Sequence, residues 1–208
     1  MRHMRALAVS VSVLFHPLFM PLFCVLIAGE MDWAVRSLVH PEQLKLSYLI
    51  VALSTIAFPG LNILLLHWYG AVSSIDVVSR KERLLPYLSS LLFFILGYIL
   101  LRRGALPVSI YSIMLGCISS VSILALVSLK IKASAHAAGI AGCLGVCLAL
   151  FQLHSWHELA LLMVLIASCG LVFSARMVLG VHQPKEVYLG ALIGFSTSFA
   201  AVSLQWAI

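Results

Sequence analysis

Arg176 and His182, with Glu186 four residues beyond the histidine, are the residues of this chain best equipped for chemistry. A carboxylate bonded to one ring nitrogen of an imidazole fixes the tautomer and leaves the other nitrogen as a nucleophile. Pro184 suits the first turn of a helix, so Glu186 falls within reach of His182 if that turn begins promptly. Arg176 offers a planar fork of donors that matches phosphoryl oxygens. A loop histidine followed by a first-turn glutamate that complements the helix dipole is the plainer reading of the same residues. All three sit between long apolar segments, where ionisable groups are costly and mark function.

Two further segments stand at the edges of apolar runs. Ser134-Ala135-His136 opens one of them, with Ser134 as a helix N-cap. Helix amino termini hold phosphate through unpaired backbone N–H groups, so the Ser134 hydroxyl and the Ala135 amide could bind a phosphoryl group while His136 protonates a leaving oxygen. Arg80-Lys81-Glu82-Arg83 precedes another run and could clamp a phosphate or simply attract anionic lipid. Lys130 and Lys132 read as interfacial anchors. His16, beside Pro17, carries less weight than His136 and His182, as do His3, His40, His67, His154 and His157.

These residues need a scaffold, and composition says which kind. The 208 residues are 62% hydrophobic and 10% charged, far below the ~25% charged share of soluble domains. The apolar residues come in blocks, so the expected class is all-α: a polytopic membrane helical bundle of about six to seven spans, one domain over residues 1–208. Spans are expected near 6–28, 46–68, 87–101, 107–129, 137–153, 157–173 and 187–207. Pro17 and Pro21 predict a kink or re-entrant shape in the first. Residues 29–45 read as an interfacial piece anchored by Trp33. The net charge of +6 is scattered in short inter-helix pieces, which argues for an anionic lipid or phosphate partner and against nucleic acid. The five cysteines lie in apolar stretches and read as buried small residues, with no metal-site spacing.

Parity then brings the polar segments together. Two spans separate residues 80–86 from Ser134, and two more separate His136 from Arg176, so all three segments meet on one face. That face carries nine of the basic residues and the other face four. Setting aside Arg80, Lys81, Arg83 and Arg176 as candidate ligands leaves five against four, and the positive-inside rule then decides nothing.

In order and spacing, residues 80–86, 133–136 and 175–186 resemble the three-part signature of the type 2 phosphatidic acid phosphatase superfamily. Arg176-x5-His182-x3-Glu186 is the most specific of the three, with Glu186 where the family has Asp and Ala175 where it has Ser. Ala133 and Ala135 stand for the usual Pro and Gly, and two leucines separate Arg83 from Pro86. The resemblance implies His182 as nucleophile, Glu186 as its orienting acid and His136 as general acid. It implies phosphate binding by Arg176, Ser134, Ala135, Arg83, Lys81 and Arg80, with no metal and no cofactor. Its implied substrates are lipid phosphates, a bacterial polyprenyl pyrophosphate first and lipid A or phosphatidylglycerophosphate next. A bacterial plasma membrane with the site facing outward also follows from the resemblance. A non-catalytic lipid-phosphate binder, acting as transporter or assembly factor, is the rival expectation. Membrane lipids are the other expected partner, and the sequence leaves the oligomeric state open.

Overall fold

The computed structural model describes residues 2–31, 33–74, 82–154 and 158–207. They form an all-helical integral membrane protein in which six helical segments are long and apolar enough to cross a bilayer. The order is α1 (Arg2–Leu14), α2 (Met20–Leu26), α3 (Trp33–Leu38), α4 (Pro41–Ala52), α5 (Phe58–Trp68), α6 (Leu84–Leu101), α7 (Val108–Ser128), α8 (Ala135–His154), α9 (Leu159–Val178) and α10 (Pro184–Ser203).

The centre of the bundle is α8, flanked by α10, α9, α7 and α2. Its small residues Ala137, Ala138, Ala141, Cys143 and Cys147 are all buried. Glycine makes the contact with α10 close. A Cβ on Gly145 would sit 2.6 Å from the Phe195 carbonyl oxygen, and one on Gly194 would run into the Ala138 backbone. With Gly190 and Ser198, Gly194 completes a small residue at every fourth position of α10, the spacing that lets membrane helices approach backbone to backbone. The outer faces are the reverse. Leu88, Leu92 and Ile99 on α6, Leu61 and Leu64 on α5, and Met163, Val164 and Leu171 on α9 are exposed. Apolar surface on this scale calls for a lipid solvent.

The first expected span is not one helix. The chain leaves α1 after Leu14 and resumes at Met20, because Pro17 offers no N–H and disfavours helical geometry at His16. Only Ala8 and Ser12, one turn apart, are buried on α1, and this face lies against α9. The next span also differs, since α4 begins at Pro41 inside the expected interfacial piece. His40 caps it, its Nδ1 accepting from the Glu42 amide at 3.4 Å. From Pro41 to Trp68 the helix is continuous for 28 residues, about 42 Å against a hydrocarbon core of about 30 Å. A π-helical turn at Leu53–Ala57 joins α4 to α5. It ends two residues before Pro59, whose missing N–H breaks the regular ladder. There Ser54 and Thr55 donate their hydroxyls to the carbonyls of Ile50 and Val51 at 2.8 and 2.9 Å.

Three ends differ in ways that matter for the site. α6 starts at Leu84 rather than 87, α8 at Ala135 rather than 137, and α9 runs to Val178 rather than 173, taking Arg176 into its last turn. Gly180, at φ +69°, ends α9 in the left-handed conformation that favours glycine and turns the chain back toward α10. At the opposite end of α6, the Tyr111 hydroxyl accepts from the Leu106 amide at 2.9 Å and donates to the Gly104 carbonyl. Arg102 lies 4.9 Å over the Tyr111 ring.

Candidate functional site

The loop between α9 and α10 carries the central pair. His182 Nδ1 lies 3.0 Å from Glu186 Oε2, and the same oxygen accepts from the Gln183 amide at 3.1 Å. Glu186 is the third residue of α10, where a carboxylate reaching back to the N-cap amide is a recognised cap. Capping the helix and orienting the imidazole are therefore one arrangement of one carboxylate. With Glu186 accepting, Nδ1 carries the ring proton and the Nε2 lone pair is exposed to an electrophile. Burial pulls the His182 pKa down to about 4. The Glu186 bond opposes this, while Arg83, Arg176 and Lys132 add to it. His182 is thus a neutral imidazole at pH 7.

Around this pair the three expected segments do meet. Arg83, the N-cap of α6, is buried and donates from Nη1 to the Ala133 carbonyl at 3.0 Å, tying α6 to the loop before α8. The Ser134 amide donates to the Glu186 carbonyl at 3.0 Å, which joins that loop to α10. Its fully buried hydroxyl accepts from the Ala137 amide at 3.4 Å. Ser134 is therefore the N-cap that the sequence predicts, while Ala135 and His136 form the cavity wall at this point. Arg176 reaches from the last turn of α9 and donates from Nη1 to the Ser12 hydroxyl at 3.1 Å. Arg80 and Lys81 lie outside the described residues. Glu82 accepts from the Ser73 amide and hydroxyl at 2.9 and 2.8 Å, and these bonds hold its carboxyl below the usual range.

A single cavity of about 450 Å³ gathers Arg83, His136, Arg176 and His182 at one end. From there it continues between α6, α7 and α2 past Tyr87, Val121 and Leu124 to Phe94, Cys117 and Cys24. Arg83 and Phe94 both line it from α6, eleven residues apart, so its reach along the helix is about 16 Å. One end is cationic and the rest is mostly apolar, interrupted by the hydroxyls of Ser90, Ser120 and Ser198.

Three residues of the site carried too weak a signal in the sequence. Lys132 lines a second depression with His182, Gln183 and Glu186. Burial, and then Arg83 and Arg176, push its ammonium below the usual value against the pull of Glu186. Its position two residues before Ser134 was the available clue. Ser12 comes from the last turn of α1, and His16 from the break between α1 and α2. The His16 ring meets His136 edge to face, with centroids 5.3 Å apart at 83°, and the His136 ring also lies against the Ser12 backbone. Nothing in local spacing announces a contact across about 120 residues. The cysteines are free thiols, four of them buried, with the Cys24 and Cys143 sulfurs 3.1 Å apart.

No family model, curated protein or solved structure matches the chain.

Proposed function

We propose that this integral membrane protein is a lipid phosphatase that works without a metal ion through a phosphohistidine, in the manner of the type 2 phosphatidic acid phosphatases. The observation that carries the reading is His182, held by Glu186 and lining a cavity that Arg83, Arg176 and His136 also line. In the first step Nε2 of His182 attacks phosphorus in line as the bond to the leaving oxygen breaks, and His136 gives that oxygen its proton. Arg83, Arg176 and the amino terminus of α8 at Ala135 stabilise charge on the equatorial oxygens. In the second step water attacks the phosphorus, His136 takes the water proton, and the P–N bond breaks to release inorganic phosphate. Lys132 belongs to the same set, since an arriving anion would relieve its repulsion by the two guanidiniums.

The apolar length of the cavity supports a substrate with a hydrocarbon chain. A polyprenyl pyrophosphate is the first choice, then lipid A or phosphatidylglycerophosphate, at the outward face of a bacterial plasma membrane. The deciding experiment incubates the purified protein with these lipids side by side in the presence of a chelator and measures phosphate release. Release should persist in chelator, fall to background in His182→Ala, and drop about 10²–10⁴-fold in His136→Ala. Loss of activity in chelator, or full activity in His182→Ala, would overturn the mechanism. Tight binding of the lipids with no release would favour a non-catalytic carrier.

A further inference from the structure

The break between α1 and α2 supplies a third imidazole to the cavity. His16 precedes Pro17, and its Nδ1 accepts the Leu18 amide at 3.4 Å. The same pattern occurs at His40, before Pro41, so accepting at Nδ1 is how a histidine before proline caps this chain. For a neutral ring the consequence is chemical: with Nδ1 accepting, the proton resides on Nε2, which makes that nitrogen a donor. His40 is exposed at the start of α4, whereas His16 lines the cavity with His136 and Arg176. Its ring is held on two sides, by Phe19 at 5.9 Å and by His136 at 5.3 Å between centroids. One turn earlier, at the end of α1, Ser12 accepts from Arg176 and so helps fix that guanidinium.

We propose that His16 is an additional ligand for a phosphate oxygen, donating its Nε2–H into the cavity beside His136, Arg83 and Arg176. The segment Ser12–Pro17 is then a wall of the binding site, with Ser12 as a positioning residue for Arg176. The inference rests on the proposed function only in taking phosphate as the anion received. A free phosphate and a lipid headgroup share that chemistry.

The test separates capping from donation and needs no turnover. Binding of inorganic phosphate to the purified full chain is followed by ³¹P line broadening, with lipid phosphate hydrolysis measured in parallel. His16→Asn keeps an acceptor for the Leu18 amide and loses the Nε2 donor. His16→Phe keeps the ring contacts and loses both nitrogens, and His16→Gln returns an amide N–H near the Nε2 position. We expect phosphate affinity about tenfold weaker or worse in His16→Asn and His16→Phe, as for a lost hydrogen bond to a charged group. His16→Gln should come within about threefold of wild type on the same scale. Wild-type affinity in His16→Asn overturns the inference, as does a His16→Gln no better than His16→Asn. Wild-type protein that binds no phosphate overturns it too. Histidine-dependent phosphate binding with no release from any lipid would defeat the hydrolase reading and leave His16 as a ligand. Hydrolysis with KM unchanged in His16→Asn would do the opposite.

Discussion

Glu186 gives one carboxylate oxygen to both the His182 ring and the Gln183 amide, so substitutions there act on two bonds at once. Glu186→Gln keeps the length and an acceptor but removes the charge that, in the proposed mechanism, would stabilise a phosphorylated, cationic ring. Its kcat should fall by on the order of 10²–10⁴ with little change in the unfolding temperature. Glu186→Asp is one methylene short of serving both partners and should lose activity as well. His182 also makes a prediction about stability. Its folded pKa of about 4 lies below the ~6.5 of an unfolded imidazole, so between these values the unfolded chain binds more protons. Stability from this group is full above about pH 6.5 and declines as pH falls toward 4. The apparent melting temperature should drop over that window, and His182→Asn should make the drop shallower. A profile equally steep in the variant would count against the buried neutral ring. The His182–Glu186 pair could be read from the sequence because four residues across a helix start fix their separation. Lys132 was harder, since an isolated lysine before a helix looks the same whether it faces lipid headgroups or a guanidinium pair.

Among the elements, α8 and α10 hold the site together, because Ser134 and Glu186 are joined by a backbone hydrogen bond at their amino ends. That bond depends on the approach permitted by Gly190, Gly194 and Gly145. Gly194→Leu must push α10 off α8, at a cost of about 1–3 kcal/mol or more for overpacking. Circular dichroism should show a lower melting temperature, and phosphate release should fall although no site residue is touched. Gly180→Ala tests the turn that returns the chain to His182. A left-handed φ costs a non-glycine residue about 1–2 kcal/mol, and the loss should appear in His182-dependent activity before helix content. The six long helices were legible as blocks of apolar sequence with ends set to within a few residues. Two of the departures from that reading follow from proline. His40-Pro41 starts α4 early, and His16-Pro17 divides the first element, because backbone chemistry overrides hydropathy at these positions.

At the scale of the whole molecule, even numbers of crossings between polar segments predict a single reactive face. Cysteines introduced at Lys130 and Lys185 should react with a membrane-impermeant maleimide from the same side of proteoliposomes, and one at Arg103 from the other. Labelling of Lys130→Cys and Lys185→Cys from opposite sides would be incompatible with the site. Parity was available from the sequence because it requires only the number of spans. The contribution of the amino terminus was not, because which face of a broken helix turns inward depends on its neighbour, α9. That neighbour brings a consequence for synthesis. Ser12 and Arg176 are 164 residues apart, and His182 comes later still. The face of α1 that holds Ser12 must therefore wait for its partner until the chain through Arg176 has followed, an arrangement of high contact order. On the proposed function, a chain still emerging from the ribosome therefore has no complete site until α9 and α10 have closed against α1.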